Sequence, residues 1–346
     1  MHRPGHSATS VSDIAVELTE VDKIFYQRQR SEKVRDVFKN LFRPNIREIR
    51  ALQKVNLEIR RGEIVAYAGP NGAGKSTTVK LLSSVLAPTS GTVRCLGMDP
   101  MKDRVHYVER IGVVFGQRTE LWWDQPVAAS FEWKRVVWDI PRDRYDAMLD
   151  FVKDLLGIDE FFNSLARQLS LGQKMRADLA LMLMHEPEIL FLDEPTIGVD
   201  VLAKRNMLEF IKSLNREKGV TVMITSHDMD ELEQLAGRIV MIDKGNIAFD
   251  GDFRELRGQF GDRRHLIIET ADTFPPQLSG VQFIESEGNR HHFTFDAAQI
   301  SIPTLLDEAA EQATIRDVET HRAPIDDVIA DMYEYWDGEA NRRIDE

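Results

Sequence analysis

The residues Gly69-Pro70-Asn71-Gly72-Ala73-Gly74-Lys75-Ser76 follow the spacing G-x-x-x-x-G-K-[ST], with Thr77 next. Chemistry on phosphates needs this kind of segment. Glycines let the backbone wrap closely enough for successive N–H groups to point at phosphate oxygens, which is the use made of Gly69, Asn71, Gly72 and Gly74. A helix starting here adds the positive end of its dipole. Lys75 suits neutralisation of β- and γ-phosphates, and the Ser76 hydroxyl suits Mg²⁺. A second run, Ile189-Leu190-Phe191-Leu192-Asp193-Glu194, ends an apolar stretch in two acids. Asp193 is placed to hold Mg²⁺, and Glu194 to polarise an attacking water as general base. A ligand-free glycine turn and two solvated acids are the bland alternatives.

The elements around these residues favour the chemical reading. Ile64 to Ala68 reads as a buried strand delivering the chain into the glycine loop, and Ser76 to Val85 has helical spacing. Ile189 to Leu192 and Thr221 to Thr225 read as further strands, the latter ending just before His227. Helical stretches precede both, Ala128 to Leu156 among them, so the expected fold is α/β around a mainly parallel sheet. Ligands bind at the carboxyl ends of such strands.

At this point a resemblance becomes specific. Leu169-Ser170-Leu171-Gly172-Gln173 resembles the signature motif of the ABC ATPases, and Gln117 their Q-loop glutamine. Gly198-Val199-Asp200 resembles the D-loop, His227 the switch histidine, and Phe25 the aromatic residue that stacks on adenine, with Tyr26 adjacent. The elements keep the family's order over residues 14 to 256. The resemblance implies a P-loop ABC ATPase domain: a RecA-like core, an antiparallel β subdomain and a helical subdomain. It also implies a head-to-tail dimer with ATP and Mg²⁺ between one subunit's phosphate loop and the other's Ser170, Gly172, Gln173 and Asp200. Gln117 then joins Ser76 and Asp193 at the metal, and Gln117, Glu194 and His227 serve catalysis. One departure is Leu171, where the family usually has Gly. A side chain facing the phosphate would block the site, whereas one facing out along the helix's first turn would not; the active reading is favoured.

Ser170 is by its own chemistry a good helix N-cap, opening a helix start to an anion. Two further features point to a membrane partner. Gln27 to Arg50 carries eight basic residues and three acidic ones, with Val34, Val37, Phe38, Leu41 and Phe42 on one helical face. It reads as a basic amphipathic insertion at a membrane or partner, or packed on the domain's own edge. Leu121-Trp122-Trp123-Asp124 is expected to expose one tryptophan, where the family receives its transmembrane subunit.

The chain has 346 residues, 42% hydrophobic and 29% charged, and a net charge of −13. The acidic balance argues against nucleic acid as a partner. No apolar run approaches the roughly 18 residues of a membrane span. The lone Cys95 excludes a disulfide framework and reads as a core residue. Residues 1–13 read as a disordered tail, 14–257 as the nucleotide-binding domain, and 258–346 as a small α+β accessory domain. In the latter, strands at Leu266 to Glu269, Val281 to Glu285 and His292 to Phe295 precede helices at Pro303 to Ala313 and Pro324 to Tyr333. His291 and His292 are expected at the surface. Together these features resemble the ATPase subunit of an exporter of the drug and polysaccharide class. Such a subunit sits on the cytoplasmic face of the cell membrane, with separate permease chains and a second nucleotide-binding subunit. A soluble ABC ATPase acting on ribosomes or DNA is the competing reading.

Overall fold

The computed structural model describes residues 13–28, 46–115, 119–259 and 263–322, together with 325, 327–329, 332 and 333. The chain divides into two compact units, residues 1–250 and 251–346. The division falls at the end of a strand, ahead of the composition change at 257–258. Residues 1–12 of the expected tail lie outside the described residues.

The first unit has two sheets. β1 (Ile14–Arg28) pairs antiparallel with β2 (Ile46–Arg60) on one side and with β4 (Ser90–Cys95) on the other. The second sheet is six-stranded: β5 (Ile111–Phe115), β6 (Ile189–Asp193), β7 (Thr221–Thr225), β3 (Ile64–Ala68), β8 (Arg238–Asp243) and β9 (Asn246–Gly251), in that spatial order. The four interior pairings from β5 to β8 are parallel. Every residue of β6 and β7 is buried, as parallel strands covered on both faces require. Val16, Leu18, Val55, Leu57 and Ile59 of the antiparallel sheet join Val65, Phe191, Met223 and Val240 in one apolar cluster. Cys95 is part of it, and burial pushes its thiol up to about 12.

At its two ends the basic insertion follows the second alternative, packing on the domain's own antiparallel edge. The β1–β2 ladder continues through Phe25↔Ile49, Tyr26↔Glu48, Gln27↔Arg47 and Arg28↔Ile46, so its two ends are strand rather than helix. Pairing across the ladder gives these backbone groups partners that a free helix end would leave open. The apolar face Val34, Val37, Phe38, Leu41 and Phe42 lies outside the described residues.

Between β5 and β6 the chain is helical, at Val127–Val137, Arg142–Leu156 and Leu171–Leu183. Pro141 sits at the N-cap of the second helix, so the stretch expected as one block is broken there.

The second unit is a four-stranded antiparallel sheet with a helix on one face. β10 (Arg263–Thr270), β11 (Gln282–Glu287), β12 (Arg290–Asp296) and β13 (Ile315–Arg322) lie in the order β11-β12-β10-β13. Leu266, Ile268, Phe293 and Phe295 pack on Leu305 and Ala309 of the helix Ile302–Gln312. The sequence pattern did not predict β13: Ile315 and Val318, three apart, are its inward residues, so period-2 alternation is missing. His291, expected at the surface, is buried. Its Nε2 meets the Thr270 hydroxyl at 3.0 Å and its Nδ1 the Ser286 hydroxyl at 2.8 Å, so both ring nitrogens are partnered. Ile325, Val328, Ile329 and Met332 are all buried, as the apolar face of a last helix predicts.

Candidate nucleotide site

The phosphate loop leaves β3 at Ala68 and enters the helix Lys75–Leu82. Two of its glycines are required by contact. At Gly69, φ is +157°, and a Cβ would lie 2.2 Å from the Ile242 carbonyl oxygen; at Gly74, φ is +122°, and a Cβ would lie 2.7 Å from the Ala51 oxygen. No side chain caps the helix at Gly74, so its first N–H groups are left for an outside acceptor. The Lys75 ammonium is buried and donates to Gly69 O at 2.6 Å and to Pro70 O at 3.2 Å. Burial lowers its pKa below the lysine range, opposed by Glu194 and then Asp193. An open helix start, a glycine cradle and a buried cation fit a polyphosphate. Ser76 and Thr77, half-buried, open the same helix.

The two acids come from the end of one strand, β6, with β7 between it and β3. β6 ends at Asp193, in register with Thr225 at the end of β7. The Thr225 hydroxyl donates to Asp193 Oδ1 at 2.8 Å, while the Glu194 N–H donates to that hydroxyl at 3.0 Å. Glu194 adopts φ +56°, and its Oε1 lies 2.7 Å from His227 Nε2. A carboxylate and an imidazole are therefore joined beside the phosphate loop. β5 ends at Phe115, in register with Asp193, and Gln117 lies outside the described residues.

Ser170 caps the helix Leu171–Leu183 in a reciprocal box: the Gln173 N–H donates to Ser170 Oγ at 3.2 Å and the Ser170 N–H to Gln173 Oε1 at 2.9 Å. Such caps stabilise a helix by about 1 kcal/mol. Oγ accepts here, so the hydroxyl proton remains able to donate. Asp200 caps the next helix, Val201–Lys218, through the Ala203 N–H at 3.0 Å. Gly172 faces Asp200: a Cβ on it would stand 3.7 Å from the Asp200 carboxylate. The start of the Ser170-capped helix thus faces the turn that Asp200 closes.

Two aromatic positions complete the picture. Phe25 is 36% exposed with the Lys23 ammonium 5.1 Å from its ring centroid, and Tyr26 is 62% exposed. Trp122 and Trp123 are both exposed, at 43% and 55%, where only one was expected. Leu121 takes the inward position; Trp122 meets Trp133 at 5.5 Å, and Lys174 covers Trp123 at 4.6 Å. Two residues of the region escaped the sequence reading. Thr225 was taken only as a strand residue, though a hydroxyl ending a strand beside two acids is a usable signal. Asp178, on the signature helix, accepts from the Thr119 hydroxyl and the Glu120 N–H, both at 3.0 Å. Its position eight residues inside an apolar helix gave no such hint.

The comparisons bear on this geometry. The ABC transporter family model matches residues 52–197. The ABC transporter ATP-binding protein NatA of Bacillus subtilis is 30% identical over 215 residues, covering 62% of this chain and 87% of NatA. The probable multidrug ABC transporter ATP-binding protein YbhF of Escherichia coli is 38% identical over 60% of this chain and 36% of YbhF. The chain thus spans about a third of that relative's length. A dimeric post-hydrolysis structure of the ATP-binding cassette MJ0796, bound to ADP and Pi, has a TM-score of 0.56 at 26% identity, covering 69% of this chain and 99% of that one. With the phosphate loop on β3 and the paired acids on β6, these matches place the chain in the ABC transporter family.

Proposed function

We propose that this chain is the ATP-hydrolysing subunit of a membrane transporter, acting as a head-to-tail pair of nucleotide-binding subunits. The observation that carries this reading is the contact of Glu194 Oε1 with His227 Nε2 at 2.7 Å, beside the open helix start at Lys75. Glu194 would take the proton of the attacking water, and His227 would hold that carboxylate in direction. Lys75 would exchange the Gly69 and Pro70 carbonyls for the β- and γ-phosphates. Mg²⁺, held by Ser76, Asp193 and Gln117, would neutralise charge on the phosphate oxygens. Ser170, Gly172, Gln173 and Asp200 would serve a second subunit's ATP, a use supported by the Ser170 hydroxyl proton left free by the cap. Phe25 would stack on adenine.

Export through separate permease chains, from the cytoplasmic face of the cell membrane, is the direction we propose, in keeping with the likeness to a multidrug cassette. No helix among the described residues is long and apolar enough to cross a membrane; in the proposed arrangement partner chains supply the path. The exposed Trp122, Trp123 and Trp133 are the proposed contact. The accessory domain from 258 onward is assigned to stabilising or regulating the pair. The test is ATP turnover of the purified complex against Glu194→Gln. Loss of turnover in the variant is expected, and equal rates would end the proposal. Co-purification of an integral membrane chain is expected; ribosomes or DNA in its place would favour the soluble reading.

A further inference from the structure

Consecutive strand residues point to opposite faces, so Asp193 and Glu194 should not serve one site. In this chain they are linked to one group instead: Asp193 Oδ1 and the Glu194 N–H both bond the Thr225 hydroxyl. What breaks the alternation is the backbone of Glu194, at φ +56°, a left-handed conformation unfavourable for a residue with a side chain. Such a conformation persists only where the surroundings hold it. The holder is Thr225. The Glu194 N–H donates both to the Thr225 carbonyl oxygen, at 3.1 Å, and to its hydroxyl, at 3.0 Å. The hydroxyl in turn gives its one proton to Asp193 Oδ1, at 2.8 Å. Thr225 is fully buried, so water does not substitute for these bonds.

We propose that Thr225 is a positioning residue for hydrolysis. Its hydroxyl links the two acids in a chain, Glu194 N–H to Thr225 Oγ–H to Asp193 carboxylate, which polarises along its length. The methyl group packs, and the hydroxyl fixes where the acids point. Valine has the same shape and would leave the Asp193 oxygen and the Glu194 turn without that bond. Serine keeps the bond and loses the methyl. This inference rests on the proposed role of Glu194.

The experiment uses the full chain with its co-purifying subunits, as wild type, Thr225→Val, Thr225→Ser and Glu194→Gln. ATP turnover and nucleotide affinity are measured separately. Thr225→Val is expected to lose about tenfold or more in kcat with affinity within about threefold of wild type, the loss of one buried hydrogen bond. Thr225→Ser is expected to stay within about threefold of wild type in both. Wild-type turnover in Thr225→Val would overturn the proposal. So would a fall in Thr225→Ser as deep as in Thr225→Val, or a fall in affinity matching that in kcat, since either makes Thr225 a packing residue. If Glu194→Gln turns over as fast as wild type, the proposed function fails first. If Glu194→Gln is inactive and Thr225→Val is not, this inference alone fails.

Discussion

Leu171 leans over Gly198 so closely that a Cβ on Gly198 would lie 2.8 Å from Leu171 Cδ2. The signature's unusual leucine is thereby taken up by the D-loop of its own chain, with the side chain 37% exposed. Gly198 also has φ +74°, so two costs meet at one position. Gly198→Ala should lower the unfolding free energy by about 1–2 kcal/mol. Adding Leu171→Ala should recover only the contact part, giving a coupling of about 0.5–1 kcal/mol in a denaturation cycle. Strict additivity would mean that the two residues do not press on one another in solution.

Phe25 and Tyr26 are neighbours on one strand and so face opposite sides of the sheet. The Lys23 ammonium lies 5.1 Å from the centroid of the Phe25 ring, and Phe25 is partly exposed. Phe25→Ala should raise the Kd for ATP by about three- to tenfold, the worth of one stacked aromatic pair. Tyr26→Ala should leave it within about twofold. Titration of each variant with a fluorescent ATP analogue checks this, and the reverse ranking would assign adenine to Tyr26.

The phosphate loop and the acid pair could be read from their spacing at the ends of apolar runs, whereas His227 was singled out only through its resemblance to the family's switch histidine. Residue types alone could not show how Asp193 and Glu194 are turned to one side, because that depends on a left-handed Glu194 and on Thr225 across the sheet. The ends of the basic insertion misled for a related reason. They were read with the amphipathic segment between them, but a partner strand at Phe25 to Arg28 was available to residues 46–50, and long-range pairing overrode the local pattern. His291 read as a surface histidine because Thr270 and Ser286, which satisfy its ring, are distant or unremarkable in sequence.

Asp178 ties the signature helix to Thr119 and Glu120, and burial pushes its carboxyl up to about 6. A carboxyl raised above its unfolded value of about 3.9 makes its full contribution to stability below that value and loses it as the pH rises through 6. Asp178→Asn keeps an acceptor and removes the charge. Its unfolding free energy should therefore gain on wild type by about 1–1.5 kcal/mol between about pH 5 and about pH 7.5. Urea denaturation at the two pH values reads this difference. A gap that narrows or reverses as the pH rises would show that the Thr119 and Glu120 bonds outweigh burial.

Trp123 is tied to both sides of Ser170 and is the proposed partner contact. Its carbonyl accepts the Arg167 N–H at 3.0 Å, three residues before Ser170, and its ring lies under Lys174, four residues after it. Trp122 and Trp133 extend the same exposed aromatic surface. Buried aromatic anchors at interfaces typically cost more than 2 kcal/mol when truncated, about 30-fold in affinity. Trp123→Ala should therefore lose most of the membrane chain that co-purifies with wild type. ATP affinity of the variant should stay within about twofold, as for a residue that serves a partner contact alone. Recovery of the membrane chain and nucleotide titration are both measured on the same preparation. Equal recovery would move the contact off this surface, and a parallel loss of ATP affinity would make Trp123 a support of the helical subdomain.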